Sequence, residues 1–173
     1  SVYSGWLAYS TFDHEWVKQQ MKETSVEEVL EKNWPGLHIE PLQAPENMEV
    51  LIGWTGSPAS SPHLVSEVKR LKSDPIFYGK FLDQSNTCVE NLIYAFKTNN
   101  IKGVQKMIRQ NRSIIQQMDK EATVDIETKK LKLLCDIGER FGGAAKTSGA
   151  GGGDCGITII DNRVDKHSIY EVW

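Results

Sequence analysis

Seven of the fourteen glycines fall between Gly142 and Gly156, in the stretch GGAAKTSGAGGGDCG. Neither a helix nor a long strand runs comfortably through so many residues that lack a Cβ, so the chain is expected to break there into a loop. Glycine reaches positive φ without a steric clash, and consecutive glycines let successive backbone N–H groups turn toward one point. A cluster of such donors suits a phosphate. Each bond to a charged oxygen contributes roughly 1.5–3 kcal/mol net. Lys146 adds a cation, and Thr147 and Ser148 add hydroxyl donors.

The flanks decide which phosphate loops are excluded. Gly151, Gly153 and Gly156 satisfy GxGxxG, but a dinucleotide-binding loop follows a strand and opens a helix. Here a helical pattern comes before, with Leu133, Leu134, Ile137 and Phe141, and an apolar strand pattern after, Ile157 to Asp161 (ITIID). A Walker A loop places Lys-Ser/Thr directly after its last glycine, whereas Lys146-Thr147 precedes the glycines. The HRD and DFG signatures of a protein kinase are absent. A plain linker is the competing reading. Linkers are Gly/Ser tracts, and this stretch carries Lys146, Asp154 and Cys155 between two structured patterns.

The remaining chain reads as mixed α and β. Val2 to Phe12 and Leu37 to Leu42 are strand patterns, with a broken helical pair from His14 to Trp34 between them. Met48 to Thr55 (MEVLIGWT) is the clearest strand. Ser61 to Phe141 is helical in pattern, with Pro62 at a first helical position. Cys88, Leu92 and Phe96 form one apolar stripe, and Ile101, Val104, Ile108, Ile115 and Met118 form another. Asp125 is the expected cap of the last helix, and Ala144 to Ser148 a short extended segment. The irregular alternation predicts an α+β layer rather than a parallel α/β sheet. A boundary is expected at Gln43–Asn47, dividing 1–47 from 48–173.

Composition narrows the partners. A net charge of −3, from 20 basic and 23 acidic residues, gives no general attraction to nucleic acid or anionic membrane. No run of about 20 apolar residues is present to cross a bilayer. The three cysteines (Cys88, Cys135, Cys155) form no CxxC pair and fit free thiols in a reducing cytoplasm. The four histidines have no metal-ligand spacing, so no metal-ligating residue is expected. The chain opens at Ser1 without methionine and stops at Trp173 within a helical pattern, and is expected to be a piece of a longer protein.

At KTSGAGGGDCG the chain resembles the third signature motif of the GHMP small-molecule kinases. Asp154 in that run, GWTGSPASS at 53–61 and the opening SVYSGWLAY together resemble the bacterial phosphomevalonate kinases of staphylococcal type. The resemblance implies a ferredoxin-like C-terminal domain over 48–173, preceded by the tail of an S5-like, ATP-holding domain over 1–47. It implies transfer of the γ-phosphoryl of ATP, with Mg2+, to 5-phosphomevalonate. Lys146, Thr147, Ser148, Gly149, Ala150, Gly151, Gly152, Gly153 and Asp154 would then line the phosphate region, and Ser57, Ser60 and Ser61 a substrate loop. The family's catalytic aspartate and ATP loop would precede Ser1, so no catalytic residue is expected in this chain, which should be inactive without the missing N-terminal half. Exposed apolar surface should mark where that half docks, around the first strand and Trp54. Two alternatives stand beside this reading: another GHMP kinase, acting on mevalonate or homoserine, or a non-catalytic domain that binds a phosphometabolite.

Individual residues keep two readings. Asp154 either holds a magnesium-bound water or a lysine, or bonds neighbouring N–H groups as a turn residue. Lys146 either meets a phosphate or is a surface lysine on a short strand. Capping before Pro62 explains Ser60 and Ser61 without any ligand. Lys102, Lys106 and Arg109 share one helix face and lack interleaved aromatics, which reads as a solvated face rather than a nucleic-acid surface.

Overall fold

In the computed structural model, residues 5–59, 64, 66, 71–149 and 151–173 are described. The chain divides into two compact units, 1–44 and 45–173. In the first, β1 (Trp6–Ser10) pairs antiparallel with β2 (His38–Leu42), Ala8 opposite Glu40. Between them lie α1 (His14–Glu23), capped by the Asp13 carboxylate, and α2 (Val26–Leu30), capped by Ser25. The expected broken helical pair is therefore present, split where Thr24-Ser25 leaves helical geometry.

The second unit is built on three antiparallel strands in the order β3-β5-β4, where β3 is Met48–Trp54, β4 is Ala144–Thr147 and β5 is Cys155–Asp161. Leu51 lies opposite Thr158 and Trp54 opposite Cys155, while Thr147 lies opposite Gly156. The period of two then sorts β3. Leu51 and Gly53 point inward, whereas Ile52 and Trp54 are 62% and 69% exposed. Tyr9 of β1 is also largely exposed. Apolar side chains thus lie open at both places where the sequence reading expects them.

Four α-helices of the unit lie wholly within the described residues: α3 (Pro75–Lys97), α4 (Ile101–Ala122), α5 (Lys129–Arg140) and α6 (His167–Val172). Asp74 caps α3 just ahead of Pro75, Asn100 caps α4, and Thr128 caps α5 by accepting the Leu131 N–H at 3.3 Å. The expected cap of α5, Asp125, lies a few residues too early to reach the first-turn amides. The expected helix start at Pro62 lies outside the described residues.

Among the described residues, the helices pack through two apolar clusters. Leu51, Ile137, Ile160 and Ile169 join β3, α5, β5 and α6, with Phe141 and Trp173 against them. Each fully buried aliphatic side chain here contributes about 1.5–3 kcal/mol. Cys88, Met107 and Ile114 join α3 to α4. Close approach of α5 to β5 requires Gly138, where a Cβ would lie 2.2 Å from the Thr158 hydroxyl oxygen. The whole is an α+β arrangement on an antiparallel sheet, as the pattern predicts.

Candidate functional site

The glycine loop runs from the end of β4 to the start of β5, and its backbone follows an uncommon course. Gly149, Gly151, Gly152 and Gly153 take φ of +61°, +77°, +76° and +150°, and Asp154 takes +53°. A side chain at most of these positions would be strained. Asp is among the few non-glycine residues that tolerate the left-handed region. The strand resumes at Cys155, two residues earlier than the ITIID pattern suggests.

Among the described residues, three N–H groups of this loop are tied to the scaffold. Ser148 donates to the Cys155 carbonyl at 2.8 Å, Gly152 to the Ile126 carbonyl at 2.7 Å, and Asp154 to the Ser57 carbonyl at 2.8 Å. Among the described residues, the N–H groups of Gly149, Gly151 and Gly153 have no hydrogen-bond partner. Gly151 and Gly153 are nonetheless buried residues. A buried donor without a partner costs free energy, and an anion held by such donors removes that cost.

The second loop predicted from sequence lies against the first. The Thr55 N–H donates to the Asp154 carbonyl at 2.8 Å, and the Ala59 N–H to the Asp154 carboxylate at 3.2 Å. A Cβ at Gly153 would lie 2.8 Å from the Ser57 carbonyl oxygen, so only glycine allows this approach. Within the second loop, the Thr55 hydroxyl bridges the Ser57 carbonyl and N–H. Asp154 is thus a clamp between loops rather than a local turn residue. Ser60, Ser61 and Ala150 lie outside the described residues.

Two contributors escape sequence reasoning. Lys130, in the first turn of α5, donates from Nζ to the Thr55 carbonyl at 3.0 Å and reaches the Ser57 hydroxyl at 3.4 Å. Ile126, in the turn before α5, supplies the carbonyl that holds Gly152 and packs so closely on Gly151 that a Cβ there would lie 2.4 Å from Ile126 Cγ2. Both contacts are long-range in sequence, and neither residue type marks a site by itself.

Lys146 is half-buried on β4 and donates from Nζ to the Thr147 carbonyl at 2.7 Å. Burial holds its ammonium below the usual lysine range. Thr147 is fully buried, and its hydroxyl has no partner among the described residues. The stripe Lys102, Lys106 and Arg109 is exposed along its length, and Arg109 also donates to the Gly143 carbonyl, just before β4. Burial pushes the Cys135 thiol up to about 12 and the Cys88 thiol upward as well, which makes both packing groups rather than nucleophiles.

The chain is similar in sequence and in overall structure to known proteins. Residues 92–173 match the family described as GHMP kinases C terminal. The phosphomevalonate kinase of Streptomyces sp. (strain CL190) is 36% identical over 162 residues, which are 93% of this chain and 43% of that protein. The Lin0012 protein from Listeria innocua is 40% identical with a TM-score of 0.89, over 98% of this chain and 47% of that one. The Streptococcus pneumoniae phosphomevalonate kinase, solved in complex with phosphomevalonate and AMPPNP, is 27% identical with a TM-score of 0.79, over 96% and 46%. The chain therefore spans less than half the length of each of these relatives. No helix among the described residues is long and apolar enough to cross a membrane. Residues 92–173, which include the glycine loop, thus carry this chain's likeness to a GHMP kinase C-terminal domain.

Proposed function

We propose that this chain supplies the C-terminal half of an ATP-dependent kinase that converts 5-phosphomevalonate to its diphosphate. The observation that carries the reading is the set of N–H groups at Gly149, Gly151 and Gly153 that have no partner among the described residues, beside a second loop clamped to them by Asp154. Fixed backbone donors suit phosphoryl transfer, which relies on positioning and charge neutralisation more than on covalent chemistry by the protein. Similarity to two phosphomevalonate kinases, one of them solved with phosphomevalonate and AMPPNP, supports this substrate over mevalonate or homoserine.

In this reading, Lys146 to Asp154 line the phosphate region, with the N–H groups of Gly149, Gly151 and Gly153 holding phosphate oxygens and Lys146 adding positive charge at the loop's base, and Ser57 lies on the substrate loop. Residues 1–44 would belong with the ATP-side half, and the open Ile52–Trp54 face of β3 would be covered by that half. Magnesium would enter with ATP and screen the phosphate charge. Among the described residues there is no group of three or more His, Cys, Asp or Glu that could hold a metal ion.

A titration of the 15N-labelled complete protein tests the site. 5-Phosphomevalonate should shift the amides of Gly149, Gly151 and Gly153 at concentrations where mevalonate leaves them unmoved. Equal shifts with mevalonate would remove the phosphate role from the loop. Shifts confined to residues elsewhere would remove the loop from the site.

A further inference from the structure

The glycine loop leans on the α4–α5 turn, and that turn is itself held by a carboxylate. Asp119, near the end of α4, accepts the Ile126 N–H at 2.6 Å on one oxygen and the Glu127 N–H at 2.9 Å on the other. Its backbone carbonyl accepts the Thr123 and Val124 N–H groups, with Thr123 at φ +54°. Ile126 then offers its own carbonyl to Gly152 and its side chain to Gly151. On the far side, the Glu127 carboxylate is buried in a pair with Arg112, which also bonds Asp136. One peptide unit of the turn is thus fixed on one side by Asp119 and on the other carries the phosphate loop.

We propose that Asp119 is a positioning residue for the phosphate-binding loop, acting through the Ile126 peptide on Gly151 and Gly152. The inference rests on the functional reading of the glycine loop given above. Its physical basis is independent of it. A partly buried carboxylate that accepts two N–H groups of one turn fixes that turn more tightly than a single bond would. The site is unfavourable for charge: burial pushes the Asp119 carboxyl above the usual range, against the pull of the two N–H bonds, and the nearby Asp125 and Glu127 charges push the same way. A carboxylate kept there is a poor choice for stability alone, and its two acceptor oxygens are what an amide or an aliphatic side chain cannot reproduce.

The test uses Asp119→Ala, Asp119→Asn and Cys88→Ala in the complete protein. Cys88 is buried between α3 and α4 and bonds the Met107 carbonyl, so its truncation lowers stability without removing any hydrogen bond of the Ile126 turn. Two quantities are read: hydrogen exchange of the Gly152 amide, and affinity for 5-phosphomevalonate by amide titration. Asp119→Ala should speed Gly152 exchange and weaken binding about tenfold or more, the loss that follows from one charge-assisted hydrogen bond. Asp119→Asn keeps one acceptor oxygen and should fall between, and it serves alone if the alanine variant does not fold. Cys88→Ala should change neither quantity beyond a uniform rise in exchange. Unchanged Gly152 exchange in both Asp119 variants would overturn the proposal, as would a binding loss that Cys88→Ala shares. Faster Gly152 exchange in a protein whose wild type ignores 5-phosphomevalonate would uphold the positioning of the loop and instead overturn its assignment to phosphate.

Discussion

The Asp154 carboxylate accepts the Ala59 N–H at 3.2 Å, joining two loops that lie 95 residues apart in sequence. The Asp154 backbone adds bonds to Thr55 and Ser57, so a single residue holds the second loop against the glycine loop. Substitution separates geometry from charge. Asp154→Asn keeps an acceptor and tolerates φ near +53°, and should bind 5-phosphomevalonate within about threefold of wild type. Asp154→Ala loses the bond and strains the backbone, at about 2 kcal/mol in urea unfolding, and should bind at least about tenfold more weakly. An asparagine variant as impaired as alanine would point to the negative charge instead.

Glycines of the loop differ in what surrounds them. Nothing lies within 4 Å of a Cβ at Gly149, so Gly149→Ala meets only the cost of its left-handed φ, about 1 kcal/mol. A Cβ at Gly153 would meet the Ser57 carbonyl oxygen at 2.8 Å and must push the two loops apart. Gly153→Ala should therefore be the more destabilised of the two by chemical denaturation, and the weaker binder.

Arg112 is the buried hub beneath the site, with side-chain exposures of 7% for itself and 4% for Glu127. Removing one partner strands the other charge, so Arg112→Ala should cost about 3–5 kcal/mol in equilibrium unfolding. Arg112→Lys cannot reproduce the forked contacts to Glu127 and Asp136 and should also be clearly destabilised. A double-mutant cycle with Glu127→Gln isolates the coupling between the two.

Asp136 gives the fold an acid-sensitive contact. Partial burial opposes its ionisation, but hydrogen bonds from Lys132 and Arg112 outweigh this and hold the carboxyl below the usual carboxylate range. A depressed folded-state pKa contributes stability that is complete above the unfolded value of about 4 and is lost as pH falls through the folded value. Wild type should therefore exceed Asp136→Asn in stability at neutral pH. The gap should close as the pH drops below about 4 in urea titrations, and a gap independent of pH would contradict the assignment.

Periodic and local features were legible in the sequence. MEVLIGWT and ITIID form paired strands, and the glycine run forms a loop between helix and strand. The α4 stripe was read one position out toward its end: Ile114 enters the core, whereas Ile115 and Met118 are half-buried. Arg112, a charged residue, takes a buried place that a search for apolar periodicity passes over. The cap of α5 fell to Thr128 rather than Asp125 because capping depends on which oxygen reaches the first-turn amides, and both residue types cap well. In the site, the loops themselves could be read, but their supports could not. Lys130, Ile126 and Asp119 act through main-chain bonds, which leave no mark on residue type.

Turnover by the complete protein tests the central claim most directly, with ATP and 5-phosphomevalonate, mevalonate or homoserine as acceptor. The account predicts diphosphate formation from 5-phosphomevalonate, with turnover on the other two lower by at least about a hundredfold. Comparable turnover on mevalonate or homoserine would contradict the substrate assignment. A folded protein that binds 5-phosphomevalonate but turns over none of the three would contradict the kinase reading and leave a phosphometabolite-binding domain.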